Sequence, residues 1–231
     1  NINWPTDSAY YVSWVSSHTW TGLNPNTTYW FRIQARDNVG NTSVWSSTTS
    51  KVTLANPPTG LNLTAISVSQ IDASWNANAN PDGTKFIAHC SSTNFTSGTN
   101  IYSSTVTAPT VSTSFSGLST NTTYWIRVYA ANYEGVASDF LGPNTRVTLC
   151  SEPSNVAWGT AISTTTVQIN WGTGDSNPDD TIYLSQVSES SDFSGIAGFS
   201  QTTKSAESAT IVNLSTNTAY YGRVIARNWE L

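Results

Sequence analysis

The chain has 231 residues, a formal net charge of −5 at pH 7 and only 10% charged residues. Nucleic-acid binding usually requires a basic patch or stripe, so this acidic balance argues against a nucleic-acid partner. No apolar run approaches the roughly 18 residues that a membrane-spanning helix needs. Hydroxyl, β-branched and aromatic residues dominate the chain instead, and this composition favours β-sheet.

The first recurring phrase is GLNPNTTYWFRIQARDNVG, residues 22–40, in which a turn sequence leads into alternating apolar and polar positions. The alternation predicts a β-strand with one face in the core and one face outward. The predicted core positions are Phe31, Ile33 and Ala35. The predicted outer positions are Trp30, Arg32 and Gln34.

This phrase returns at residues 117–135 and begins again at residue 213, so the chain is repetitive. Two landmarks recur at steps of 95 and 96 residues, and they are Leu23, Leu118, Leu214, Tyr29, Tyr124 and Tyr220. Trp75 and Trp171 lie 96 residues apart, each at the end of an alternating run. A period near 95, with short strands and frequent turn signals, predicts β-sandwiches of about seven strands.

The pattern L-x-P-N-T-x-Y-x-F-x-I-x-A, residues 23–35, resembles the E–F corner and F strand of fibronectin type III domains. Trp75 and Trp171 match that family's core tryptophan at the end of strand B, and the prolines at 57 and 153 match its entry into strand A. The resemblance implies an all-β chain of tandem immunoglobulin-like (fibronectin type III) β-sandwiches in a semi-rigid string. It also implies that the Tyr29 hydroxyl bonds back to the backbone at the corner.

Aligned on the repeat, the chain is predicted to contain three units. Residues 1–55 are a partial fibronectin type III unit lacking strands A to C, 56–150 a complete domain, and 151–231 a partial unit lacking strand G. We therefore expect the chain to be a segment of a longer protein. Because the linkers are only about six residues long, they are too short for flexible Gly/Ser-rich tethers.

Candidate catalytic and metal-binding groups are few. His89 and Cys90 are adjacent on a predicted strand, so their side chains point to opposite faces and do not form a Cys–His pair. Asp175, Asp179 and Asp180 share one loop, where clustered carboxylates either form a turn or bind Ca²⁺. The matching loop of the middle unit, NANANPDGT, is a plain turn and favours the first reading. We assign no catalytic residue, metal or cofactor.

The two cysteines and the sequons leave modification open. Cys90 and Cys150 are either free thiols, with Cys90 a small buried apolar residue, or one disulfide. Six Asn-x-Ser/Thr sequons occur, no more than the Asn and hydroxyl content predicts by chance. Asn26 and Asn121 occupy equivalent turns, which we expect to be accessible, and they are the candidate glycosylation sites.

Aromatic and arginine residues recur on the outer face of the predicted F strand and on the predicted G strand beside it. We call this set the aromatic ladder: Trp30, Arg32, Trp45, Trp125, Arg127 and Phe140. Stacked aromatic and arginine side chains contribute about 0.5–1 kcal/mol at exposed sites. Such a ladder, which resembles part of the arginine–tryptophan ladders of cytokine receptors, either covers its own sheet, contacts neighbouring chains, or stacks on sugars.

These features favour a non-enzymatic extracellular or cell-surface structural or adhesive repeat array, such as a stalk, adhesin or filament component. Its partners would be other copies, other surface proteins or glycans, and the simple repeat phrases resemble bacterial secreted and surface arrays. One alternative is the accessory module region of a secreted carbohydrate-active enzyme, and another is a receptor ectodomain. A flanking catalytic domain with paired carboxylates would favour the enzyme, whereas further repeats would favour the array.

Overall fold

The computed structural model describes residues 17–96, 101–160, 163–172, 174–228 and 230. We keep the names first, middle and third unit for residues 1–55, 56–150 and 151–231, and residues 1–16 of the first unit lie outside the described residues. The described chain is all-β, with antiparallel sheets and a single turn of 3-10 helix. This architecture agrees with the fold class predicted from the repeat.

The first unit contributes a two-stranded sheet, and its strands are β1 (Thr28–Phe31) and β2 (Thr49–Val52). The middle unit has one sheet of order β3-β4-β7 and one of order β6-β5-β8-β9. Its strands are β3 (Thr59–Ser67), β4 (Gln70–Asn76), β5 (Lys85–Ser91), β6 (Ile101–Thr107), β7 (Ser112–Ser116), β8 (Thr123–Ala131) and β9 (Leu141–Val147).

The third unit repeats this plan with sheets of order β10-β11-β14 and β13-β12-β15. Its strands are β10 (Ser154–Trp158), β11 (Val167–Gly172), β12 (Ile182–Ser188), β13 (Gly198–Thr203), β14 (Ser208–Ile211) and β15 (Tyr221–Arg227). The 3-10 turn, Lys204–Ala206, connects β13 to β14.

The core of the middle unit lies between its two sheets. The inward positions of β8 are Tyr124, Ile126, Val128 and Ala130, and all four are buried. They pack in one cluster with Trp75, whose ring lies edge-on to Phe86 at a centroid distance of 5.9 Å. Complete burial of a large apolar side chain stabilises the fold by about 1.5–3 kcal/mol, so this alternation is the main cohesive feature of the unit.

The same alternation is not buried in the first unit, and this part of the sequence-based prediction is wrong. Ile33 is 76% exposed and Ala35 is exposed, while Phe31 is only half-buried. The physical reason is that β2 is the only strand of the described residues with which β1 pairs. Within residues 17–55 there is no second sheet to cover its inward face.

A tyrosine closes the corner before the F strand in all three units. The backbone N–H of Asn24 donates to the Tyr29 hydroxyl at 2.9 Å, and Ser119 donates to Tyr124 at the same distance. Ser215 donates to Tyr220, again at 2.9 Å. The hydroxyl therefore bonds back to the chain five residues earlier in each unit, which anchors the turn against the start of the strand.

The third unit balances a large side chain on one strand against a glycine on another, at positions that are partly open to solvent, since Trp158 is 48% exposed. Trp158 occupies the register position of Leu63, since Trp158 pairs with Ile169 as Leu63 pairs with Ala73. Opposite it lies Gly222, where a Cβ atom would approach the indole Cη2 to 2.8 Å. The larger residue on one strand is thus accommodated by the smallest residue on the facing strand.

Both cysteines are free thiols, so the disulfide alternative is not realised. Cys90 is buried in the middle core, and burial raises the pKa of its thiol to about 12. Burial, followed by the nearby Asp175 charge, raises the pKa of Cys150 to about 11. Both thiols therefore stay protonated near neutral pH and are poor nucleophiles.

Candidate functional site

The corner turn of the first unit reaches into the middle unit through Asn26. This residue has a left-handed backbone (φ 43°) and a completely buried side chain. Its Nδ2 donates to Thr84 Oγ1 at 2.8 Å, and its Oδ1 accepts the Tyr133 backbone N–H at 2.7 Å. Asparagine tolerates the left-handed region better than most residues, so the turn aims an amide directly at the next unit.

The second junction uses the same chemistry. Asn121 has the same φ of 43° and is 1% exposed. Its Nδ2 donates to Thr181 Oγ1 at 2.9 Å. Thr84 and Thr181 are fully buried and stand at equivalent positions just before the third strand of their units. One asparagine–threonine contact therefore recurs at both junctions.

An ion pair recurs beside each of these contacts. Lys51 Nζ lies 2.5 Å from Glu134 Oε2 at the first junction, and Arg146 Nη1 lies 3.0 Å from Glu230 Oε2 at the second. Glu230 also accepts the backbone N–H of Val147 at 3.0 Å. Hydrogen bonding to Lys51 holds the pKa of Glu134 below its usual value. In both cases a cationic side chain on the last strand of one unit contacts a glutamate in the turn that follows the F strand of the next unit.

The linkers are held by a further repeated contact. In the middle unit the Asn80 side chain pairs with the backbone of Asn56, accepting its N–H and donating to its carbonyl, each at 2.8 Å. Asn177 pairs with Ser151 in the same way, each bond being 2.9 Å. Both amides therefore tie the linker backbone to the loop that leads into the third strand.

The expectation that Asn26 and Asn121 are accessible for glycosylation is wrong. Both Nδ2 atoms donate hydrogen bonds inside a buried junction. A glycan attached to either atom would have no space there. Asn217 stands at the corresponding corner of the third unit with φ 53°, and it is exposed. The corner conformation is thus intrinsic to each unit, whereas burial of its asparagine depends on contact with a following unit.

The aromatic ladder is built differently from the predicted Trp–Arg pairs. The Arg32 guanidinium lies over the Trp45 ring at 4.1 Å, and Arg127 lies 4.0 Å from both Phe95 and Phe140. Trp45 and Phe140 precede the last strand of their units and do not lie within it. Phe95, which sequence reasoning missed, follows β5 with a left-handed backbone (φ 59°). The sequence signal that could have identified Phe95 is the equivalent Phe193 of the third unit, whose ring lies 4.1 Å from the Arg223 guanidinium.

His89 lies beside this stack, on the face of β5 opposite the buried Cys90. Its ring is 5.7 Å from Tyr129 and 6.0 Å from Phe140. Burial, with a smaller effect of Arg127, lowers the pKa of His89. The neutral imidazole therefore belongs to the packing of the outer face at neutral pH.

The middle unit is also the part of the chain that a family model recognises. Residues 56–140 match the model of the Fibronectin type III domain. The middle unit is a fibronectin type III domain. Domains of this family are found in extracellular and adhesion proteins and are typically non-catalytic, which supports a structural repeat role for the chain.

Solved structures similar to this chain contain domains of the same kind. A two-domain fibronectin type III segment of chicken tenascin is 14% identical, with TM-score 0.48, covering 75% of this chain and 92% of that one. The FN1–FN3 domains of chicken CNTN1 are 20% identical, with TM-score 0.36 and coverages of 89% and 71%. The FN5 domain of Drosophila Lar is 19% identical, with TM-score 0.36 and coverages of 42% and 100%. No curated protein matches the sequence.

The third unit contains a charged cluster that the middle unit lacks. Lys204 Nζ lies 3.1 Å from Asp175 Oδ1, and both side chains are about 5% exposed or less. The Tyr183 hydroxyl donates to Asp175 Oδ2. Burial raises the pKa of Asp175, but hydrogen bonds from Tyr183, the Asn177 backbone and Lys204 outweigh it and bring the pKa below its usual value. Burial and the adjacent carboxylate raise the pKa of Tyr183.

The aspartate-rich loop uses oxygen atoms of Asp175 and Asp179 in contacts within the protein. The Asp175 carboxylate is already held by Lys204 and Tyr183, and Asp179 offers its backbone carbonyl to the Ser205 N–H at 3.1 Å. Within the described residues, no group of three or more His, Cys, Asp or Glu side chains is placed to hold a metal. Nor does any described helix have the length and apolar character required to cross a membrane.

Proposed function

We propose that this chain is a structural segment of an extracellular or cell-surface repeat array, in which the junctions between units hold a constant relative orientation. The observation that supports the proposal is the recurrence of the same contacts at both junctions. Equivalent contacts between successive units generate a nearly constant rotation and translation per unit. An array of such units is a stiff rod with a regular twist, suited to a stalk or filament and not to a flexible tether.

The buried part of each junction is the part that determines the angle between units. An exposed ion pair contributes about 0–1 kcal/mol, whereas a buried donor left without its partner costs about 1–3 kcal/mol. Loss of the Thr181 hydroxyl would remove, in a buried site, the acceptor to which Asn121 Nδ2 donates. We therefore expect Thr181→Val to loosen the second junction more than Arg146→Gln does.

The test uses the full chain with one fluorophore pair spanning the second junction and another lying within the middle unit. Wild type should give a narrow distance distribution across the junction, and Thr181→Val a broader one, while the pair within the middle unit stays unchanged. Thr210→Val makes the same substitution at an exposed position of the third unit and should leave both distributions narrow. A broad junction distribution in wild type would contradict the proposal.

The location is tested separately on the natively produced protein. Proteolytic shaving or surface labelling of intact cells should reach this chain, or the chain should be recovered from the medium. Recovery in the cytosolic fraction alone would contradict the extracellular part of the proposal and leave the junction result untouched.

We also propose that the aromatic ladder supplies side contacts between neighbouring copies. Trp30 and Trp45 are 48% and 49% exposed, and Phe140 is 44% exposed. Lateral contact would bury these rings, which gives about 25 cal/mol for each Å² removed from water. Sedimentation of the Trp30→Ser, Trp45→Ser double variant should show weaker concentration-dependent association than wild type. Association unchanged by the substitutions, or binding to polysaccharide in its place, would reject self-contact.

A further inference from the structure

The charged cluster of the third unit lies directly behind its linker contact, since the Asn177 carbonyl accepts from Lys204 Nζ at 2.6 Å and Asn177 Nδ2 donates to the Tyr183 hydroxyl at 3.1 Å. Lys204 is 4% exposed, and its Nζ donates to the backbone carbonyls of Asp175 and Asn177 at 2.9 and 2.6 Å as well as facing the Asp175 carboxylate at 3.1 Å. Asp175 is in turn hydrogen-bonded by the Tyr183 hydroxyl. The amine, the carboxyl group and the phenol are thus held together in a site with little access to water.

The fold does not require these residues. Lys204 corresponds to Ala108, because each donates its backbone N–H to the equivalent threonine carbonyl at 2.9 Å. Tyr183 corresponds to the buried Phe86, and Asp175 stands two residues before Asn177 as the exposed Asn78 stands before Asn80. Three positions therefore differ between the two units: the middle unit has two apolar residues and a surface amide, where the third unit has a buried amine, phenol and carboxyl.

Stability alone is a weak explanation for this change. Burying a lysine and an aspartate costs several kcal/mol per ion, and the attraction between them often fails to exceed that cost. An apolar pair already fills the same place in the middle unit. A covalent bond between the two side chains would remove both charges and avoid this desolvation cost.

We propose that Lys204 Nζ and Asp175 Cγ join in an intramolecular amide bond. One ammonium proton first passes to the carboxylate, which gives a neutral amine and a carboxylic acid whose hydroxyl oxygen is Oδ2, and the amine then attacks Cγ. Tyr183 delivers its phenolic proton to the departing Oδ2 oxygen and regains a proton from the new amide nitrogen. The N–Cγ bond forms, the Cγ–Oδ2 bond breaks, one water leaves, and no oxidant, reductant or nucleotide is consumed.

The geometry favours this reaction in two ways. Two backbone carbonyls hold the amine against the carboxyl, and such fixed proximity replaces a bimolecular encounter, with effective molarities that reach about 10⁵–10⁸ M. Condensation also converts two buried charges into one neutral amide, which a low-dielectric site favours and bulk water does not. The product would tie the loop after β11 to the turn before β14.

Intact mass of the folded full chain tests the proposal directly. We expect a mass lower than that of the sequence by one water, in all or most molecules. Tryptic digestion should then fail to cut after Lys204, leaving residues 147–223 as one peptide. Glutamyl endopeptidase, which does not cut before Pro153, should leave residues 135–189 and 190–207 joined as a branched product. A mass equal to that of the sequence, with normal cleavage after Lys204, would overturn the proposal.

Two variants assign the reaction to these side chains. The triple variant Asp175→Ala, Tyr183→Phe, Lys204→Ala removes all three polar groups, leaving residues close to those of the middle unit, and should show the unmodified mass. Tyr183→Phe alone keeps the amine and the carboxyl and should lower the cross-linked fraction. An unchanged fraction would overturn the role of Tyr183 in proton transfer.

A loss of water elsewhere is distinguished by the branched peptide. The sequence Asp82-Gly83 is the alternative source, since an aspartyl–glycine step can dehydrate to a cyclic imide. Water loss confined to peptides containing Asp82, or retained in the triple variant, would reject the cross-link.

Discussion

The first and middle units contain nearly the same F-strand phrase, YWFRIQA and YWIRVYA, but they place it in different surroundings. Val128 is completely buried, whereas its counterpart Ile33 is 76% exposed. The strand itself also differs, because β8 runs from Thr123 to Ala131 and β1 only from Thr28 to Phe31. Nearly identical local sequence has thus produced a long buried strand in one unit and a short, partly exposed strand in the other.

The two strands have the same neighbour along one edge and differ at the other edge and on the inner face. The side facing the next strand of the chain is alike in both units, since Ala35 accepts the Ser43 N–H at 2.9 Å and Ala130 accepts that of Ser138 at 2.8 Å. On its other side β8 pairs with β5, and the β3-β4-β7 sheet covers its inner face. The alternation therefore specifies which residues share a face, while burial of that face depends on strands distant in sequence.

The largest expected effect comes from truncating this face in both units. Ile126→Ala should lower the free energy of unfolding by about 2–5 kcal/mol, because it leaves a cavity in the middle core. Ile33→Ala should change it by less than about 0.5 kcal/mol, as is usual for an exposed position. Chemical denaturation of both full-length variants measures the contrast. Equal losses would mean that the first-unit face is covered in solution.

The next largest effect on the free energy of unfolding is expected at the Trp158–Gly222 contact of the third unit. Gly222→Ile restores the residue type found at the same place in the middle unit, but its Cβ would meet the Trp158 ring at 2.8 Å. We expect a destabilisation of about 1–3 kcal/mol, the usual result of overpacking. Adding Trp158→Leu should recover most of the lost stability, since in the middle unit Leu63 packs against the cluster that contains Ile126. Without such recovery, the two positions would not be coupled.

The corner tyrosines give a smaller effect. Tyr124→Phe removes the hydroxyl that accepts the partly buried Ser119 N–H, and we expect a loss of about 0.5–1.5 kcal/mol. The equivalent Tyr29→Phe frees an N–H of the exposed Asn24, which water can satisfy, so the loss should be a few tenths of a kcal/mol at most. Thermal unfolding of the two variants compares them. A larger loss for Tyr29→Phe would contradict this account.

The smallest effect concerns the ion pair of the first junction. Since Lys51 lowers the pKa of Glu134, this pair contributes stability above the usual glutamate pKa of 4.5, and the contribution is lost as pH falls through the lower, folded value. Both partners are exposed to solvent, so salt should screen the contribution as well. A fluorophore pair across the first junction should report slight loosening in acid, and Glu134→Gln should abolish that response. An acid response that survives in the variant would belong to another group.

Several features of the fold followed from the sequence because they depend on neighbours along the chain. The period, the corner tyrosine and the inward tryptophans are expressed in residues 95 or 96 apart, which each unit must contain to fold. The junction contacts could also have been predicted from residues that recur at the repeat spacing, but they were not. Lys51 and Arg146 are 95 residues apart, Glu134 and Glu230 are 96, and Thr84 and Thr181 are 97. Their recurrence was the available signal for a repeated contact.

The sequence by itself determined the architecture of the unit, since turns, alternation and corner bonds are local properties of each repeat. Only the tertiary structure decided which of these faces are buried, because burial requires a partner that local pattern does not contain. It turned Asn26 and Asn121 from accessible sequons into buried junction residues. It also brought together Asp175, Tyr183 and Lys204, which lie on different loops and strands and carry no shared motif. Their chemistry arises from proximity in the folded chain, where exclusion of water strengthens every polar contact.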